Sequence, residues 1–250
     1  MELIVIGAGP AYTDRRGAAA ASFLVSAQGA ALLLDLGQGA FPNLASTMEP
    51  SELAAVVVSH LHPDHFIDLV PLRHYLKWQF APPRRISVVA PQGLTERLDA
   101  LHASPGFTDA SLDVSRLTEG TRRIGPFEVT ARRVTHTEDS YALRVSVASE
   151  PTAPGLVYSG DCGRAADLVP LIRPGDTLLA EASFGAERVP PGASHLTTAD
   201  AAHAASEGRA ARLLITHVLM GLDRGKALAA AQAAFSGQVR LVTEGDRFTV

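Results

Sequence analysis

Residues Ser59–His65 read SHLHPDH and follow directly on the apolar run Ala54–Val58. His60, His62, Asp64 and His65 therefore crowd the C-terminal mouth of a strand-like segment, where packing has no use for them. Imidazole nitrogens and carboxylate oxygens suit Zn(II), and also Mn, Fe or Co. On an extended exit from the strand, His60 and His62 project to the same side. Pro63 can open a following helix at its first turn, which sets Asp64 and His65 on another side of the same cavity. This spacing serves two metal positions better than one.

Outward from this box, alternating and apolar runs predict strands at Glu2–Gly7, Ser22–Ser26, Ala31–Asp35 and Ala54–Ser59, then a helix over Phe66–Lys77. Pro82 and Pro83 break the chain before a strand at Ile86–Ala90 and a helix around Thr95–Leu101. The second half predicts strands at Phe127–Val134, Tyr141–Val147, Leu156–Ser159 and Thr177–Glu181, and a helix at Thr198–Glu207. A strand at Arg212–His217, a helix at Arg224–Phe235 and short strands near Val239 and Phe248 close the pattern. Hairpin-like groups giving way to strand and helix pairs fit neither a purely parallel sheet nor an all-β sandwich. They fit an α+β chain with two mixed sheets face to face and helices outside. No Pro, Gly or Ser-rich linker and no fixed-period repeat divides residues 1–250, so one domain of two similar halves is expected.

Composition narrows the class. Of 250 residues, 46% are hydrophobic and 19% charged, ordinary values for a folded globular chain. One cysteine, Cys162, excludes an internal disulfide. The chain opens straight into a strand pattern and carries no spanning run, so a cytoplasmic location is expected. A net charge of -4 argues against broad electrostatic capture of nucleic acid.

A paired metal site needs further ligands at other strand ends. His136 follows Phe127–Val134, Asp161 follows Leu156–Ser159 in the phrase YSGD, and His217 ends ARLLITH. Each stands where an apolar strand stops. Singly they would pass for loop residues; with the SHLHPDH box they read as a set.

In this order the residues resemble the metallo-β-lactamase superfamily over nearly the whole chain. The resemblance implies a four-layer αββα sandwich. It also implies two divalent ions, Zn first and Mn or Fe as alternatives, with His60, His62 and His136 on one, Asp64, His65 and His217 on the other, and Asp161 bridging. EASFG at Glu181–Gly185, SHLTTADAA at Ser194–Ala202 and LLITHV at Leu213–Val218 look like the ribonuclease Z branch and its small relatives that cleave cyclic nucleotides. That likeness implies an additional active-site role for His195 and a catalytic as well as ligating role for Asp64. Transfer RNA processing enzymes of this branch carry a long arm between the positions matching His136 and Asp161. Here one hairpin, Tyr141–Ser159, fills that interval.

The expected activity is therefore hydrolysis of a small phosphodiester, such as a cyclic nucleotide, or of an RNA end, through a metal-bridging hydroxide. Alternatives are ribonuclease Z-type transfer RNA 3′ processing, thioester hydrolysis of the glyoxalase II kind, and a catalytically inactive nucleic-acid-binding scaffold. A homodimer is implied by likeness alone, and no membrane partner is expected. Ser183 and Phe184 are candidates to contact substrate, and Arg73 and Trp78 to line its pocket, although Phe184 and Trp78 also suit a core. GAGP at Gly7–Pro10 reads as a tight turn near the site rim, because Tyr12 stands where a dinucleotide loop needs its third glycine. His74, His102 and His203 lie in helical stretches and read as surface or packing residues.

Overall fold

The computed structural model describes residues 1–250. The first half runs β1 (Glu2–Gly7), β2 (Ser22–Ala27), β3 (Ala30–Leu34), α1 (Ala40–Thr47), β4 (Ala55–Val57), α2 (Pro63–Phe66), α3 (Leu69–Trp78), β5 (Ile86–Ala90), α4 (Leu94–Leu101) and β6 (Leu112–Arg116). The second half runs β7 (Gly120–Ile124), β8 (Phe127–Arg133), β9 (Tyr141–Val147), β10 (Leu156–Tyr158), β11 (Thr177–Glu181), α5 (Thr198–Glu207), β12 (Arg212–Thr216), α6 (Arg224–Ala234), β13 (Gln238–Leu241) and β14 (Arg247–Thr249).

These strands form two seven-stranded mixed sheets, ordered β14-β1-β2-β3-β4-β5-β6 and β13-β12-β11-β10-β9-β8-β7. The period of two along each strand builds the layers. Leu3, Val5, Phe23, Val25, Leu32 and Leu34 face Phe127, Val129, Leu143, Val145, Tyr158 and Leu179 in the core between the sheets. Their neighbours Ile4, Ile6, Leu24 and Leu33 face outward under Leu44, Leu69, Leu72 and Leu76 of α1 and α3. On the other side, Leu178, Ala180, Leu213 and Ile215 pack under Ala201, Ala204 and Ala205 of α5 and Ala231 of α6. Small residues there let the helices lie close on the sheet. The result is the four-layer αββα arrangement, and no helix is long and apolar enough to cross a membrane.

The observed structure departs from expectation in several places. The helix expected at Phe66–Lys77 is two pieces: α2 opens at Pro63, and α3 starts at Leu69 after a break at Ile67 and Asp68. α1, β6 and β7 carry no expectation. Arg73 is buried and donates Nε to the Phe107 carbonyl at 2.7 Å, and Trp78 is 69% exposed at the far end of α3. Neither Arg73 nor Trp78 is brought to the histidine cluster, and Trp78 is not core. His74 and His102 pack around Phe107, and His203 is exposed on α5.

Candidate metal centre

Strand ends position the cluster. His60 and His62 follow β4, with Asp64 and His65 on the first turn of α2. His136 follows β8, Asp161 follows β10 and His217 follows β12. Each of the two groups therefore draws on both sheets. Gly37 lets the α2 turn come this close, because a Cβ there would stand 1.9 Å from the Asp64 carbonyl oxygen. His217 takes a left-handed backbone, φ 61°, held by its amide donating to the Ala8 carbonyl at 3.0 Å. The GAGP turn thus does border the site.

Two clusters result: His60, His62, His136 and Asp161, and Asp64, His65, Asp161 and His217. In the first, His62 Nδ1 lies 3.1 Å from His60 Nε2 and 3.0 Å from His136 Nε2, while Asp161 Oδ2 stands 3.7 Å from both of those Nε2 atoms. In the second, Asp161 Oδ1 lies 3.3 Å from His65 Nε2 and 3.6 Å from His217 Nε2, and Asp64 Oδ2 lies 3.2 Å from His217 Nε2 and 3.7 Å from His65 Nε2. Donors about 2.1 Å from a tetrahedral ion are about 3.4 Å apart. The observed spacings bracket that value in both clusters, and Asp161 turns one oxygen to each.

Hydrogen bonding fixes which nitrogens are free. His65 Nδ1 donates to Asp35 Oδ2 at 2.7 Å, and His136 Nδ1 donates to the Ser194 carbonyl at 2.7 Å. Ser59 Oγ donates to Asp35 Oδ2 at 2.7 Å and so accepts from His60 Nδ1 at 3.1 Å. Ser183 Oγ donates to Glu181 Oε2 at 2.8 Å and so accepts from His217 Nδ1 at 3.0 Å. In all four rings the inward Nε2 is left as a lone pair, the arrangement seen behind metal-bound histidines. Two buried atoms at the centre, His65 Nε2 and Asp161 Oδ1, have no hydrogen-bond partner. Buried polar atoms are rarely left so, and a divalent cation satisfies both. The residues present fit divalent metal.

Electrostatics set the rings apart. Burial drives His60 well below the ordinary histidine range, and His65 beside it adds to the effect. Burial also opposes charge on His65, but Asp161 and Asp35 outweigh it and hold that ring well above its usual value. Burial resists charge on Asp161, yet His217 and His65 keep its carboxyl well below the carboxylate range. Asp161 thus stays a carboxylate at the junction of the two clusters.

His195 stands at the edge with 22% of its side chain exposed. Its Nδ1 donates to Glu181 Oε1 at 2.9 Å, and its ring lies 4.7 Å from that of His136 and 6.1 Å from that of His217. Burial disfavours its charge, but the hydrogen bond to Glu181 raises its pKa. Glu181 is itself anchored by the amides of Cys162, Ser183 and Leu196. Ser183 is buried behind His195 and His217, whereas Phe184 is half-buried with its ring 6.2 Å from His195. Ser183 thus supports imidazoles and does not line the open face.

Sequence reasoning missed Asp35, Tyr158 and Glu181. Asp35, at φ 58°, accepts from the Ser59 amide at 2.6 Å, Ser59 Oγ at 2.7 Å, His65 Nδ1 at 2.7 Å and Tyr158 Oη at 2.6 Å. A buried carboxylate at a strand end was the available signal, and an aspartate before a glycine turn masks it. The largest cavity, about 650 Å³ beside Thr177 and Arg212, lies at the opposite ends of β11 and β12 from these residues.

Residues 32–218 match the model of the beta-lactamase superfamily domain. An uncharacterized protein of Mycobacterium leprae is 32% identical over 227 residues, 88% of this chain and 78% of its own length. A ribonuclease Z of Geobacillus kaustophilus is 25% identical over 271 aligned positions, covering 87% of this chain and 88% of that protein. The crystal structure of the metallo-beta-lactamase fold protein YhfI from Bacillus subtilis superposes with a TM-score of 0.86 at 23% identity, over 99% of this chain and 98% of that one.

Proposed function

This chain belongs to the beta-lactamase superfamily, as a metallo-hydrolase of its ribonuclease Z-like branch, and from that membership we propose that it hydrolyses small phosphodiesters at a paired metal centre. His60, His62 and His136 would hold one ion and Asp64, His65 and His217 the other, with Asp161 between them. Five imidazoles and two carboxylates favour Zn(II) over Mg or Ca. Bound there, the ions would supply Lewis acidity and a nucleophilic water at neutral pH.

The chain's own groups do the rest. Asp64 faces the same ion position as His65 and His217 and would orient the attacking water there. His195, with Nδ1 committed to Glu181, keeps Nε2 for proton delivery to a departing alkoxide. Glu181 favours the imidazolium form of the ring, which carries the Nε2 proton to be delivered. The observation that carries the reading is this His195–Glu181 pair against two donor clusters that share Asp161. The kinship with a ribonuclease Z supports phosphodiester chemistry, and the lone hairpin β9–β10 between His136 and Asp161 supports a small substrate.

The test is a panel of bis(p-nitrophenyl) phosphate, 2′,3′- and 3′,5′-cyclic nucleotides, precursor transfer RNA and a glutathione thioester, offered to protein of measured metal content. Turnover of the small diesters, lost on chelation and restored by Zn(II), is expected, with precursor transfer RNA left intact. Thioester hydrolysis without diester hydrolysis would overturn the reading. Absence of both metal and cleavage after reconstitution would return the nucleic-acid scaffold.

A further inference from the structure

A cavity of about 210 Å³ opens beside the centre, lined by Leu61, His62, Pro91, Gln92, Arg97 and Thr137–Asp139. It shares the ligand candidate His62 with the first cluster. Its walls come from the turn after β5, the first half of α4 and the loop that follows His136. His195 lies outside this lining, against His136 and His217 and backed by Glu181 at the end of β11. A diester seated at the centre thus meets two different flanks. The substituent that departs belongs beside His195, and the one that stays on phosphorus falls toward His62.

The chemistry of the His62 flank is specific. Arg97 is held by donating Nη1 to the Leu61 carbonyl at 2.6 Å, which leaves further guanidinium N–H groups for a ligand. The Gln92 amide offers a donor and an acceptor, and the Glu138 carboxylate suits hydroxyl donors. Asp139 is neutralised by Arg133 at 2.7 Å. An acyl chain would waste these groups, and a second phosphate would meet Glu138. A volume below the roughly 300 Å³ of sites for whole drug-sized ligands suits one moiety. We propose that this cavity receives the nucleoside retained on phosphorus, read by Gln92, Arg97 and Glu138. The proposal rests on the phosphodiesterase reading above.

Two esters with one leaving group separate the flanks: the 5′-(p-nitrophenyl phosphate) of thymidine and methyl p-nitrophenyl phosphate. The wild-type protein should favour the nucleoside ester in kcat/KM by more than about tenfold. Gln92→Ala and Arg97→Ala should each cut that preference by about tenfold, through KM for the nucleoside ester and not through kcat. Binding of thymidine 5′-monophosphate, followed by calorimetry, should weaken in parallel. Metal content and melting temperature identify a misfolded variant, and because Arg97 also braces the metal loop, Gln92→Ala is the decisive one. Hydrolysis of both esters with no nucleoside preference, or a preference that Gln92→Ala leaves intact, overturns the proposal while the phosphodiesterase reading stands. No hydrolysis of either ester by metal-loaded protein overturns both.

Discussion

At the scale of single residues, Asp35 carries more than its place in the sequence suggests. Four donors converge on its carboxylate in a fully buried site. Asp35→Ala would strand them, and each buried donor left unpaired costs about 1–3 kcal/mol. A loss of at least about 3 kcal/mol is expected, a fall in melting temperature of roughly 6–12 °C for a chain of this size. Loss of such outer support also weakens metal binding by about 10–100-fold, measurable by competition with a chelating dye. A stable variant with unchanged affinity would remove Asp35 from this role. His195→Ala makes a contrasting prediction, because its only bonds run to Glu181 and Ser183. Turnover of an alkyl diester should fall by about 10²–10⁴-fold with metal content intact, and the loss should shrink for a p-nitrophenyl ester, whose leaving group needs no proton. Loss of metal in that variant would instead make His195 a ligand.

At the scale of elements, the segment Ser194–Thr197 joins two tasks. Its Ser194 carbonyl orients His136, its next residue is His195, and Thr197 caps α5 in a reciprocal box with Asp200. Thr197→Ala should destabilise the protein by about 1 kcal/mol in urea unfolding. It should also lower turnover with little change in stability of the α6 side, since the cap is two residues from His195. Legibility followed the same boundaries. His60, His136, Asp161 and His217 could be read because each ends a buried apolar strand, and SHLHPDH because four donors in six residues have no packing role. α1 could not, since its AFPNLAST carries Pro42 near its start and buries only Ala40 and Leu44. β6 and β7 are outer strands with exposed Asp113, Arg116, Thr121 and Arg123, so alternation against a core is weak there. Asp35 and Glu181 escaped because a lone acid at a strand end looks like a turn residue until its partners are folded against it, Ser59 lying 24 positions from Asp35 and His195 14 from Glu181.

At the scale of the molecule, both candidate sites are closed by residues from both sheets, so bound ions would tie the sheets together. Ions present at about 100 to 1,000 times their dissociation constant add about 2.7–4.1 kcal/mol to the native state. Chelation should therefore lower the melting temperature by roughly 5–16 °C, reversibly on readdition of Zn(II). An unchanged melting curve with confirmed metal removal would show that the sheets hold without the ions. The same division has a kinetic side. His217 and Asp64 meet across 153 positions of sequence, and contacts that distant form only after most of the chain has collapsed. SHLHPDH by itself is an open half-shell, and the partners that close it are spread along the later chain as far as β12. Refolding in the presence of a zinc-sensitive dye should show helix and sheet signals recovering first and tight zinc capture last. The ion would then act as a seal on the finished molecule and not as a seed for it, which keeps an immature chain from trapping metal in a misassembled form.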